Sequence, residues 1–112
     1  MEIYRTPDER FEDLPDFPFT PRYLEVPAEP GAGNQVLRLH YVDEGSPGAP
    51  PILMLHGEPT WSFLYRKMIP PLAAAGHRVI ALDNVGFGRS DTPVASFVAS
   101  FEARVDWVHA VV

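Results

Sequence analysis

The stretch Leu55-His-Gly-Glu-Pro-Thr-Trp61 sets an imidazole, a glycine and a carboxylate side by side. Gly57 has no side chain and lets the backbone approach a reacting centre closely. A loop of this kind can aim backbone N–H groups at charge that develops in a transition state. The plainer reading is an ordinary strand-to-helix turn with an incidental His-Gly. A second stretch, Asp83-Asn-Val-Gly-Phe-Gly-Arg-Ser-Asp91, invites two chemistries and fits neither. Gly86 and Gly88 begin a dinucleotide-type phosphate loop, but Asp91 stands where its third glycine is needed. Ser90 follows Gly88 as in a G-x-S-x-G nucleophile elbow, but position 92 is Thr92 rather than glycine. Ser90 is therefore expected to be a loop or capping hydroxyl and Asp83 a loop-ordering carboxylate. His56 has no elbow serine or aspartate beside it, so a structural imidazole bonded to backbone is expected.

The elements that position these loops follow from the apolar pattern. Ile52 to Leu55 and Val79 to Leu82 are apolar without alternation, as in parallel strands covered on both faces. Between them, Trp61 to Ala75 reads as one helix with Leu64, Met68 and Leu72 on a common face, broken or kinked at Pro70-Pro71. Gly76 suits a left-handed C′ position. Strand, helix and strand make a βαβ unit with a right-handed crossover. Upstream, Val36 to Val42 alternates with Val36, Leu39 and Tyr41 apolar and Arg38 and His40 polar, a half-buried strand. Gly45 to Pro50 turns the chain, and so does Glu29 to Asn34. Residues 1–34, punctuated by Pro7, Pro15, Pro18, Pro21, Pro27 and Pro30, read as an irregular arm with an edge strand at Arg22 to Val26. Residues 35–112 read as the start of the sheet. After the Gly86 to Pro93 loop, Phe97, Phe101, Val105, Val108 and Val112 fall at helical spacing, with Ser100 as an N-cap. Val111 and Val112 lack a stop signal, which reads as a helix cut rather than finished.

Composition narrows the function classes. Among 112 residues, 46% are hydrophobic and 21% charged, ordinary for a globular domain. A net charge of −6 with scattered basic residues argues against a nucleic-acid partner. No cysteine is present, and His40, His56, His77 and His109 show no ligand-like spacing, so no metal is expected. The opening segment lacks a signal-peptide core, and no apolar run approaches bilayer length. A cytoplasmic protein without a membrane partner is the expectation.

Taken together, Arg5-Thr-Pro-Asp-Glu-Arg-Phe11, Tyr41-Val-Asp-Glu-Gly45, His56-Gly-Glu-Pro-Thr-Trp-Ser-Phe-Leu-Tyr-Arg-Lys-Met-Ile-Pro70 and Gly86-Phe-Gly-Arg-Ser-Asp91 resemble haloalkane dehalogenases. The likeness runs from Met1 to about Pro93. Val94 to Ser100 departs from that family's usual charged, tyrosine-containing loop. The resemblance implies an α/β-hydrolase fold, of which this chain would hold about four strands of the mainly parallel sheet. It implies a carboxylate nucleophile that displaces halide from a small halogenated or apolar substrate, then hydrolysis of the ester by water activated by a His–carboxylate pair. No metal or organic cofactor takes part. It further implies that the Glu58 backbone N–H belongs to the oxyanion hole, that Glu58 lines the water site, and that Glu58–Pro59 is cis.

The nucleophile elbow, cap domain, acid and histidine of that family have no counterpart up to Val112. The reading is therefore an N-terminal part of such a hydrolase, inactive alone. Two alternatives stand: a piece of an epoxide hydrolase or esterase relative, where the former would favour an aromatic at position 58, and a non-catalytic small or self-associating protein. The family's strand order leaves the Ile52 to Leu55 edge unpaired, which makes self-association through that edge an expectation. A molten or insoluble chain is expected too, with Phe97 to Val112 its least protected element.

Overall fold

The computed structural model describes residues 2–28, 35–93 and 101–112. Four strands form one mixed sheet: β2 (Arg22–Pro27), β3 (Val36–Gly45), β5 (Arg78–Leu82) and β4 (Pro51–Leu55), in that spatial order. β2 and β5 flank β3 antiparallel, and β4 pairs parallel with β5. The sequence expectation of an α/β fold with a βαβ unit is met by β4, helix α1 (Ile69–Ala74) and β5. β5 is covered on both faces: Val79, Ile80, Ala81 and Leu82 are all buried. Among the described residues no strand pairs with the outer edge of β4, where Leu55 is exposed.

Each face of the sheet carries its own core. On one side Val42, Met54, Val79 and Ala81 pack with Ile69 of α1 and Phe17 of the N-terminal arm. On the other, Val26, Leu37, Leu39 and Val85 pack with Ala103 and Trp107 of helix α2 (Phe101–Val111). This arrangement corrects the expected alternation in β3. Leu37 and Leu39 are buried, Val36 is exposed, and His40 and Val42 are buried on the opposite face. A strand covered on both sides need not alternate. It also runs on to Gly45.

The expected single helix from Trp61 to Ala75 is two pieces. Ser62–Tyr65 forms a 3₁₀ turn, and α1 starts only at Ile69. Pro70 and Pro71 lie in the first turn of α1, where a missing N–H costs nothing, so the prolines open the helix rather than break it. The face changes with the split: Leu64 and Met68 are about half exposed, while Ile69 is buried. Gly76 does close α1, at φ 96°, with its N–H donating to Ala73 O (3.1 Å) and that of His77 to Leu72 O (3.2 Å). These are the paired bonds of a Schellman cap.

The arm is more ordered than its prolines indicate. β1 (Ile3–Tyr4) pairs antiparallel with β6 (Thr92–Pro93), and a 3₁₀ turn follows at Asp8–Phe11. Phe17 enters the core and stacks within an aromatic group with Phe19, Trp61 and Phe63. The edge strand expected at Arg22 to Val26 is β2. The turn at 29–34, the loop at 94–100 and the Ser100 cap lie outside the described residues. Among the described side chains of α2 the buried ones are Ala103 and Trp107, while Val105 and, just past the helix, Val112 are exposed, so these two members of the expected apolar stripe do not enter the core.

Candidate active site

Asp83, at the end of β5, is wholly buried and organises the loops around it. Its Oδ1 accepts the Ser62 N–H (2.7 Å), and its Oδ2 accepts the Arg89 N–H (2.9 Å) and the His40 Nδ1–H (2.7 Å). Ser90 Oγ donates to Asp83 O (2.6 Å) and accepts the His40 N–H (2.8 Å). Serine, histidine and aspartate are thus adjacent, but the serine bonds to backbone and not to the imidazole. It has no activated nucleophile geometry. The expected roles of Ser90 and Asp83 in ordering the loop are met. Gly88, at φ 51°, passes so close to the Asp83 carboxylate that a Cβ there would overlap it, which explains the glycine.

The same logic fixes His56. The Asn84 backbone N–H can only donate, and it points at His56 Nε2 (2.9 Å). The ring proton therefore sits on Nδ1, which donates to Gly57 O (2.9 Å). Both ring nitrogens are engaged, so His56 is a structural imidazole that joins the β4 and β5 loops. The Asn84 amide Nδ2–H also approaches Nε2 (3.3 Å), which leaves its Oδ1 turned away from the ring.

Glu58 lies on the exposed loop after β4, with a cis bond to Pro59. It lines a cleft of about 260 Å³ with His56, Gly57, Asn84, Phe87 and Arg104. Among the described residues the Glu58 N–H has no acceptor. The cleft opens at the C-terminal ends of parallel strands β4 and β5, the usual position for a ligand in an open α/β sheet. Sequence reading missed Asn84 and Arg104. Asn84 follows the buried Asp83 directly, a local signal. Arg104 reaches the cleft only through the path of α2, which no local pattern reports. Among the described residues no group of three or more His, Asp or Glu converges as a metal site, and no helix is long and apolar enough to cross a membrane.

Asp91 closes the β5 loop from the other side. It accepts both Arg5 Nε–H (2.6 Å) and Nη2–H (2.8 Å), and the Arg38 N–H (2.8 Å). Burial pushes the Asp91 carboxyl up, but the Arg5 hydrogen bonds, the Arg38 N–H and both positive charges outweigh it and hold it below the usual range. A depressed carboxyl stabilises the fold above its unfolded pKa of about 3.9, and that contribution is lost as pH falls through the folded value. Arg5 is half exposed, which discounts the pair. Arg5→Ala is expected to cost about 1–2 kcal/mol near neutral pH, and the two proteins should converge in acid. Urea unfolding from about pH 2 to 7 checks this, and a pH-independent difference would refute it.

Comparison with known proteins places this geometry. Residues 50–111 match the α/β hydrolase fold family. The chain is 55% identical over 108 residues to a haloalkane dehalogenase of Mycolicibacterium paratuberculosis, covering 96% of this chain and 35% of that one. It is 53% identical over 111 residues to one from Psychrobacter cryohalolentis, covering 99% and 36%. Among solved structures, the tetrameric haloalkane dehalogenase DpaA from Paraglaciecola agarilytica NO2 superposes with a TM-score of 0.84 at 45% identity, over 99% of this chain and 38% of that one. The chain thus spans about a third of the length of these relatives. It belongs to the α/β-hydrolase fold family and corresponds to the N-terminal part of a haloalkane-dehalogenase-like hydrolase.

Proposed function

We propose that this chain supplies the Glu58 side of a haloalkane dehalogenase site and is inactive alone. The observation that carries the reading is the acceptor-free Glu58 N–H on a cleft at the ends of β4 and β5. In the complete reaction a carboxylate attacks the carbon that bears halogen, the carbon–halogen bond breaks, and halide leaves with the bonding pair. Water then gives a proton to a His–carboxylate pair and adds to the ester carbonyl; collapse breaks the ester C–O bond, the alkoxide takes a proton and leaves as alcohol, and the carboxylate is restored as the second proton of the water passes to solvent. The Glu58 N–H would meet the oxyanion of that addition, an interaction whose loss elsewhere costs a factor of about 10²–10³. The substrate class is a small halogenated alkane.

Within these 112 residues no elbow aspartate or serine exists to start the reaction. Purified chain is expected to release no halide from bromo- or chloroalkanes above background, measured by ion chromatography. Turnover abolished by Ser90→Ala or His56→Ala would overturn the proposal. The constructive test is a chimera in which this chain replaces the matching stretch of the Mycolicibacterium relative. Halide release by the chimera supports the assignment. Epoxide or ester hydrolysis in its place would move the chain to another branch of the fold family.

A further inference from the structure

His56 does more than join two loops. Gly57 O accepts its Nδ1–H (2.9 Å) and, at greater length, the Thr60 N–H (3.3 Å). Gly57 C=O and Glu58 N–H belong to one trans peptide, so the two groups point in opposite directions. An imidazole that draws the oxygen toward itself therefore turns the Glu58 N–H away from the ring. The local backbone does not make this choice by itself. A Cβ on Gly57 would meet nothing within 4 Å, and glycine tolerates either orientation of the peptide that follows it.

The ring in turn is held from the β5 loop. His56 is buried, Phe87 meets it edge-on with ring centroids 5.2 Å apart, and the Asn84 N–H donates to Nε2 (2.9 Å). The opposite tautomer would set two donors face to face at Asn84 and a lone pair against Gly57 O. The geometry points to His56 as a positioning residue, which takes its tautomer from the Asn84 N–H and aims the Glu58 N–H by holding Gly57 O. This role rests on the dehalogenase reading for the reaction it serves. There the Glu58 N–H meets charge that develops as the ester is hydrolysed, after halide has left. Loss of His56 should therefore slow the second step far more than the first.

Two substitutions separate the ring nitrogens. His56→Asn keeps a donor where Nδ1–H stands, and His56→Gln keeps an acceptor where Nε2 stands. Long-range nitrogen–proton NMR of the full chain is expected to show the proton on Nδ1. Overhauser contacts between Gly57 Hα and the Glu58 N–H should be unchanged in His56→Asn and altered in His56→Gln, as for a flipped peptide. If the chain alone is molten, both spectra are taken from the Mycolicibacterium chimera. In that chimera His56→Gln should keep a stoichiometric burst of halide but lose turnover about 10²-fold, and His56→Asn should retain both. A proton on Nε2, turnover lost in His56→Asn, or turnover kept in His56→Gln overturns the role. So does loss of the burst together with turnover in His56→Gln, which marks a scaffold residue only. A parent chimera with neither burst nor turnover sinks the dehalogenase reading instead, and the spectra of the chain then decide the role of His56 alone.

Discussion

Asp83→Ala is expected to lower stability by about 3–5 kcal/mol, which is at least about a fifth of what a domain with a total of about 5–15 kcal/mol possesses. The carboxylate is wholly buried and satisfies three donors from three separate segments: Ser62 after β4, His40 in β3 and Arg89 in the β5 loop. Removing it leaves two backbone N–H groups and an imidazole N–H buried without acceptors, and each carries its own desolvation penalty. Asp83→Asn, which keeps the volume but turns one acceptor into a donor, should fall between the two proteins. Urea unfolding measures both variants. A loss under about 1 kcal/mol for the alanine variant would mean that water or a shifted loop replaces the carboxylate, against the hub role.

Trp107→Ala should release α2 from the sheet while the strands stay folded. Among the described side chains of that helix Ala103 and Trp107 are buried, and the indole N–H donates to Pro27 O (3.0 Å) at the edge of β2. Truncating a buried tryptophan costs about 3–5 kcal/mol, which exceeds what a lone helix of this length can recover from its own hydrogen bonds. Hydrogen exchange should then show fast amides throughout Phe101–Val111 with β3 and β5 still slow. Uniform loss of protection in every strand would instead place α2 inside one cooperative unit and defeat the view that it is the weakest element.

What could be read from sequence was whatever depended on short-range pattern. Ile52 to Leu55 and Val79 to Leu82 announced a parallel pair because each run is apolar without alternation, although only Val79 to Leu82 is buried on both faces and Leu55 is exposed. Gly76 announced a helix end because a positive φ there needs glycine. The His-Gly-Glu-Pro loop was legible as the end of a strand, and Glu58 lines the cleft that opens there. Contacts between distant segments were not legible. Helical periodicity from Trp61 to Ala75 concealed a helix that begins at its prolines, because local spacing counts Leu64 and Met68 as a face without knowing what they meet. Phe17 looked like part of a loose arm because proline count says nothing about where an aromatic lands. Arg104 reached the cleft only through the course of α2, and β1 found β6 across nearly the whole chain.

That last pairing bears on how the chain acquires its structure. Arg5 and Asp91 are 86 positions apart, and β1 and β6 close the same span. Joining ends so far apart costs roughly 4 kcal/mol of closure entropy if the intervening chain is still loose, but little once β2 to β5 have assembled between them. The strap should therefore form after the sheet, late in folding. During synthesis it cannot form until Asp91 has left the ribosome. Arg5 is made first, so its guanidinium waits in the nascent chain until the Asp91 carboxylate arrives.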